Sequence, residues 1–77
     1  MHMKYITSNP HIMGGEPVII GTRIPIEVIL YRLKDGNSLD SIHDMYNWVD
    51  KNVLAGAIDE AIQTITTTLH DKKILQT

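Results

Sequence analysis

Three consecutive residues in the first half of the chain, Gly21-Thr22-Arg23, have the side chains and backbone needed to bind an anion. Amide groups in a turn can form an anion-binding concavity, and an arginine guanidinium makes bidentate contacts to phosphate. The run is not a phosphate-binding loop of the GxxxxGK(S/T) type, because the sequence lacks that pattern. A structural role is the alternative: Arg23 then pairs with Glu16 or Glu27, and Thr22 caps the turn that follows.

Affinity for nucleic acid independent of base sequence comes from cations that neutralise phosphates, and the charges of this chain are unevenly distributed. Residues 1–34 hold four Lys and Arg side chains against two carboxylates, a balance of +2, whereas residues 35–77 hold three against seven, a balance of −4. We therefore expect a nucleic-acid-binding surface to draw its phosphate contacts mainly from the first half. An ordinary solvated surface is the alternative interpretation.

The sequence gives little support for catalysis or metal binding. The histidines do not form an HExxH motif, and Asp40 with His43 supplies two ligands where a zinc site needs three or four. There is no cysteine and no serine in a nucleophile elbow. We therefore expect a protein that is not an enzyme and that uses no metal and no other cofactor.

Length and composition restrict the class of protein further. A chain of 77 residues is either one small domain or a fragment that a partner completes. A domain of this size buries only about 60% of its surface on folding, and without cysteine it has no disulfide to support it. Self-association is therefore expected. The sequence contains no secretory signal and no apolar run of about 18 residues, which predicts a cytoplasmic protein with no membrane contact.

The β-prone residues lie in the first third of the chain. Short runs at 5–7, 11–13 and 18–20 alternate with turn residues, and Gly14-Gly15-Glu16-Pro17 is expected to form the loop of a hairpin. A sheet of two or three such strands has unpaired edges and is barely stable alone. Pairing with a second copy through this segment, 5–25, would solve both problems.

Residues 25–69 show helical spacing in three stretches. Pro25 suits the first turn of the first helix, and Gly36 is expected to end it. Ser38 is a good N-cap for a short second helix. The apolar face of that second helix consists of Leu39, Ile42, Met45 and Tyr46.

The third helix has the most continuous apolar pattern. Asp50 is its expected N-cap, and Val49 and Leu54 occupy the two positions of a hydrophobic staple. The threonines at 64 and 66–68 are weak helix formers, so fraying is expected before a polar tail at 70–77. Its apolar stripe consists of Leu54, Ala57, Ile58, Ala61, Ile62, Ile65 and Leu69.

Together these elements predict an α+β fold in a single domain, 1–77, with a short β-hairpin followed by a three-helix bundle that dimerises. The short connection between the last two helices matches the outline of a helix-turn-helix of the homeodomain-like kind, although the two helices could equally pack a core without reading DNA. Acidic residues on the third helix oppose phosphate. The residues expected to contact DNA are Arg23, Arg32, Lys34, Asn47, Lys51 and Asn52.

The aromatic residues beside this connection, Tyr46 and Trp48, have two interpretations. Aromatic side chains often anchor interfaces, but in a chain without phenylalanine they can serve equally as core or as half-buried cover.

The run from Asn9 to Ile26, NPHIMGGEPVIIGTRIPI, resembles the signature of the domain of unknown function 433 family, NP.I.GG.PVI.GTRIPV. The resemblance covers roughly residues 5–65. It implies a small dimeric protein with a helix-turn-helix, similar to the VapB-like antitoxins of bacterial and archaeal toxin–antitoxin pairs. The residues that match the signature, with the implied task of fixing the hairpin and the dimer geometry, are Gly14, Gly15, Pro17, Gly21, Thr22, Arg23 and Pro25.

Two functions are therefore expected. The first is that of an antitoxin: a homodimer that blocks a PIN-like ribonuclease toxin and binds the operator DNA of its own operon. The alternative is a protein-interaction module that does not bind DNA and that inhibits or scaffolds a partner encoded by a neighbouring gene. The acidic second half of the chain favours this alternative, because it could face the basic groove of a nuclease.

Overall fold

The structure, a computed structural model, describes residues 3–72. A two-stranded antiparallel sheet is followed by three helices, so the predicted α+β order is confirmed. The elements are β1 (Ile6–Thr7), β2 (Val18–Ile19), α1 (Ile26–Lys34), α2 (Leu39–Met45) and α3 (Lys51–Lys72).

The sheet joins β1 directly to β2, with Ile6 opposite Ile19 and Thr7 opposite Val18. The strand predicted at 11–13 is wrong: residues 8–17 form one long connection that contains a 3₁₀ turn, Met13–Gly15. The cause is local. The side chain of Asn9 accepts the N–H of His11 at 2.9 Å, and such turns compete with strand pairing.

The other edge of β2 is covered by the chain that leads into α1. Ile19 donates its N–H to the carbonyl of Ile24 at 2.9 Å, and Val18 forms a bridge with Pro25. The hydroxyl of Thr22 closes the turn between them, because it donates to the carbonyl of Ile19 at 2.7 Å and accepts the N–H of Ile24 at 3.0 Å. In this structure, the hydroxyl of Thr22 therefore supports the fold.

α1 begins one residue later than the sequence suggests, since Pro25 is its extended N-cap, and it ends in a Schellman motif. Gly36, at a φ of 97°, donates its N–H to the carbonyl of Leu33 at 3.0 Å. The N–H of Asn37 bonds the carbonyl of Arg32, also at 3.0 Å. A glycine suits this position because a side chain with a Cβ is strained at positive φ.

The N-caps predicted for the other two helices are confirmed. Ser38 accepts the N–H of Ser41 at 3.1 Å, and Asp50 accepts the N–H of Asn52 at 2.7 Å. The two staple residues, Val49 and Leu54, are both buried, as the pattern requires. Both helices are therefore capped at their first turns, and at the start of α3 the buried staple adds to the cap.

One apolar cluster joins the sheet to all three helices, and on α3 it extends no further than Ala61. Beyond that residue α3 continues through the threonines to Lys72, rather than ending before residue 70 as expected. The hydroxyl of Thr68 bonds the carbonyl of Thr64 at 2.9 Å, one turn back. Residues 73–77 of the predicted tail lie outside the described residues. The buried cluster is Ile6, Ile19, Ile26, Ile29, Ile42, Val49, Leu54, Ala57 and Ala61.

Candidate functional site

The single tryptophan of the chain lies on the surface, in the connection between α2 and α3. Trp48 is 68% exposed, and its ring meets that of Tyr46 edge to face with the centroids 5.6 Å apart. Arg32 reaches the same tyrosine from the end of α1: its Nε donates to the Tyr46 hydroxyl at 3.2 Å, and its guanidinium carbon lies 5.7 Å from the ring centroid. Arg32, Tyr46 and Trp48 are named the aromatic cluster below.

The local fold holds this cluster in place. The carbonyl of Arg32 accepts both the backbone N–H and the side-chain amide of Asn37, each at 3.0 Å. Tyr46 is the C-cap of α2 and packs against the buried cluster, and its carbonyl accepts the N–H of Val49 at 3.0 Å. These contacts hold the backbone of Arg32 and the position of Tyr46, and the Tyr46 ring is the base that Trp48 meets.

The residue types of the aromatic cluster are typical of surfaces that bind another molecule. Trp, Tyr and Arg are the residue types most enriched among those that dominate protein–protein binding energy. An exposed indole can also stack on a nucleobase, and a guanidinium can contact phosphate. The two exposed carboxylates nearest in sequence, Asp44 and Asp50, favour a basic partner over a phosphate backbone.

The positive charge of Lys51, which was expected to contact DNA at the start of α3, lies beside a negative charge. Lys51 forms an ion pair with Asp40 on α2, and both side chains are exposed. The hydrogen bond and the charge of Lys51 lower the pKa of the Asp40 carboxyl below its ordinary value. Lys51 therefore offers less positive potential to a phosphate than the sequence suggests.

The other predicted DNA contacts lie in three parts of the chain: around the start of α3, at the end of α1 and before α1. Asn47 lies between the two aromatic residues of the cluster, and Asn52 is exposed in the first turn of α3. Lys34 ends α1, where its Nζ lies 5.8 Å from the centroid of the Tyr31 ring. Arg23 is exposed before α1 begins, and that helix of nine residues is about 13 Å long. Arg32 thus contacts Tyr46, the residue before Asn47, whereas Arg23 precedes the opposite end of α1.

The signature residues build the backbone around β2. The hydroxyl of Ser8 donates a hydrogen bond to the carbonyl of Gly15. This bond joins the two ends of the connection between β1 and β2. Pro17 accepts the N–H of Ile26 at 3.0 Å through its carbonyl. Positive φ angles are found at Gly14, Gly15 and Gly21.

Sequence reasoning missed a contact between the N-terminal strand and α3. The carboxylate of Glu60, expected only to oppose phosphate, accepts the backbone N–H groups of Lys4 at 2.7 Å, Tyr5 at 2.9 Å and Ile6 at 3.2 Å. One turn earlier, the ring of Tyr5 lies so close to Gly56 that an added Cβ would come within 2.9 Å of its Cγ. A glycine inside a helix is unfavourable by itself. The presence of Gly56 in α3 was therefore the signal in the sequence that another group approaches the helix closely there.

Two negative findings concern residues 3–72 only. No three His, Cys, Asp or Glu side chains of that range are placed to hold a metal ion together. No helix within it combines the length and the apolar character needed to cross a membrane.

Comparison with known proteins identifies the family. No curated protein and no solved structure matches the chain significantly. One family sequence model, described as "Protein of unknown function (DUF433)", matches residues 6–61, which is well over half of the chain. The matched range contains the sheet, the aromatic cluster and Glu60. The chain therefore belongs to the DUF433 family.

Proposed function

We propose that this protein is an inhibitor of the antitoxin type that works by binding another protein through the aromatic cluster. The observation that carries the proposal is the exposure of Trp48 on a base that Tyr46 and Arg32 hold in place. A rigid, exposed aromatic anchor loses little conformational entropy when it binds. Its burial in a partner pocket would supply a large share of the binding free energy.

The charges near the cluster favour a protein over nucleic acid as the ligand. Asp44 and Asp50 stand on either side of the aromatic pair in sequence, and Lys51 is paired with Asp40. Carboxylates on the rim repel a phosphate backbone and attract a basic surface, and such complementarity accelerates association. The proposed partner is therefore a protein with a basic groove. The proposed candidate is the PIN-like ribonuclease toxin that the family resemblance implies, encoded by a neighbouring gene, because a groove that binds RNA needs cations to contact the phosphates.

Co-expression with the product of the neighbouring gene tests the proposal. The complex is expected to co-purify through a tag on either protein, and the partner is expected to lose ribonuclease activity in it. Full ribonuclease activity of the partner at a saturating excess of this protein would reject the inhibitor. Separate elution of the two proteins would reject the pairing.

Binding to operator DNA is the second candidate, because three predicted contacts lie close together in the chain. Asn47, Lys51 and Asn52 are all exposed around the start of α3, beside the aromatic cluster. A gel-shift titration against the promoter of the gene, at two salt concentrations, tests this candidate. Specific binding that weakens with salt, and that Asn52→Ala reduces more than the exposed control Gln63→Ala, supports it. The absence of binding at low salt rejects it.

A further inference from the structure

The second half of α3 carries apolar side chains that no other part of residues 3–72 buries. Ile62 is 53% exposed and Ile65 is 50% exposed, and none of residues 62–71 is buried. This stretch is rich in threonine, which is a weak helix former, and isolated helices of fewer than about 12 residues are marginal in water. A helix with such a stripe gains stability when another surface covers it.

The spacing of these residues matches a helix that packs along a second helix. Ile58, Ile62, Ile65 and Leu69 follow one another at intervals of four, three and four, which is the spacing of a coiled-coil seam. We name these four residues the α3 seam. The buried residues of α3 are Leu54, Ala57 and Ala61. Ile58 is half-buried and packs against the same core, so it borders both surfaces, whereas Ile62 and Ile65 are exposed.

An apolar groove of about 430 Å³ runs beside the α3 seam. Its walls are formed by α1 and by the same part of α3, with β1 contributing as well. Ile65 belongs both to the groove and to the α3 seam, so one partner could cover the two surfaces together. The residues that matter for the argument are Ile6, Ile26, Leu30, Ala61 and Ile65.

We propose that a second copy of this chain covers the α3 seam and the groove, with the two α3 helices antiparallel. In the register that matches all four seam residues, Ile58 of one copy packs on Leu69 of the other, and Ile62 packs on Ile65. The symmetry axis then passes between Gln63 and Thr64, and every contact occurs twice. This interface differs from the β segment, through which the sequence suggested pairing, and it does not depend on the proposed inhibitor function.

The charges beside the α3 seam are compatible with a second copy as the occupant. Identical helices repel each other when like charges meet along a seam. Asp59 and Ala61 flank the seam on its two sides. In the antiparallel register, Asp59 of one copy faces Thr66 of the other copy on one side, and Ala61 faces Thr68 on the other side. No pair of like charges therefore meets along the overlap, and the groove beside Ala61 receives apolar atoms from the other copy.

Sedimentation velocity over a hundredfold range of concentration tests the interface with the full chain. The protein is expected to sediment as a dimer at the upper end of the range. Ile65→Asp is expected to give a monomer, because it places a charge in the seam, and its site is already half exposed in one chain. Ile20→Asp is the matched control, since Ile20 is 48% exposed on the β segment. A monomeric natural protein, or a dimer that Ile20→Asp disrupts and Ile65→Asp does not, would overturn the proposal.

Cross-linking tests the direction of the helices, and the absence of cysteine from the chain makes it selective. Ile62→Cys and Ile65→Cys are prepared separately, then mixed under reducing conditions and oxidised. The antiparallel register predicts a disulfide between the two variants in the mixture and little dimer from either one alone. Efficient cross-linking of Ile62→Cys with itself would show parallel helices, and no cross-linking in the mixture would show a different interface. Either result contradicts the proposal.

Discussion

The carboxylate of Glu60 accepts the backbone N–H of Tyr5 at 2.9 Å, although 55 residues separate the two in sequence. The N–H groups of Lys4 and Ile6 bond the same carboxylate at 2.7 and 3.2 Å. Hydrogen bonds to a charged group contribute about 1.5–3 kcal/mol to stability, and more than neutral ones. One side chain of α3 thus fastens the first strand to the helical part of the fold.

Removal of this carboxylate is expected to destabilise the protein. Glu60→Ala should lower the free energy of unfolding by about 2 kcal/mol, because three N–H groups lose their acceptor. Glu60→Gln should cost less, about 1 kcal/mol, because it keeps one acceptor oxygen. Urea denaturation measures both values. The neighbouring Asp59→Ala is the control, since that carboxylate is exposed and accepts the side-chain amide of Gln63 within its own helix. Equal stability of Glu60→Ala and Asp59→Ala would contradict the role of Glu60.

The contact between Tyr5 and Gly56 predicts that the effect of Gly56→Ala on stability changes sign when the Tyr5 ring is removed. Alanine is favoured over glycine inside a helix by about 1 kcal/mol, yet Gly56→Ala should destabilise this protein by about 1–3 kcal/mol because its Cβ overlaps the Tyr5 ring. In a Tyr5→Ala background the overlap disappears, and the same substitution should become stabilising. Urea denaturation of the four proteins gives the coupling. A stabilising Gly56→Ala in the natural background would refute the close contact.

Three helix ends, namely the end of α1 and the starts of α2 and α3, were predictable because their signals are local. Gly36, Ser38 and Asp50 each act on a backbone group within three residues, so the sequence alone locates them. The contact of Glu60 with the N-terminal strand has no local signal in the sequence, because it depends on how the fold places β1 beside α3. The β-propensity of residues 11–13 failed for the opposite reason, because a local contact, the turn formed by the side chain of Asn9, prevails there.

The aromatic cluster was only partly predictable. Arg32 was expected to bind a ligand, but neither its contact with Tyr46 nor the exposure of Trp48 follows from periodicity, because Trp48 lies in a connection. Apolar periodicity likewise placed Ile62 and Ile65 in one stripe with Leu54. The chain is too small to bury all of that stripe, so the core ends at Ala61 and the later residues are left outside it.

The two aromatic residues of the cluster are expected to differ in their effect on stability. Trp48→Ala should change the free energy of unfolding by less than about 0.5 kcal/mol, because the side chain is mostly exposed. Tyr46→Ala should cost about 2 kcal/mol or more, since Tyr46 packs on the buried cluster and holds Arg32. Thermal or urea unfolding measures the difference. A large loss of stability in Trp48→Ala would show that the indole serves the fold.

The ion pair between α2 and α3 predicts a pKa change. The hydrogen bond and charge of Lys51 lower the pKa of Asp40, so Lys51→Gln should raise it toward the ordinary value of about 3.9. With a lowered folded-state pKa, the stabilising effect is present above the unfolded-state pKa and is lost as the pH falls through the folded-state value. NMR titration of the Asp40 carboxyl carbon measures the shift, and Lys34→Gln is the control. An unchanged pKa in Lys51→Gln would exclude the pair.

The affinity for the protein encoded by the neighbouring gene, measured by titration calorimetry, tests the proposed function most directly. Trp48→Ala should raise the Kd at least about 30-fold, the size expected of a dominant interface residue. Tyr31→Ala is the matched control, because Tyr31 is 54% exposed and also lies beside a cation, yet it is outside the aromatic cluster. This control should change the Kd less than about threefold. Equal effects of the two substitutions, or no binding by the natural protein, would contradict the account.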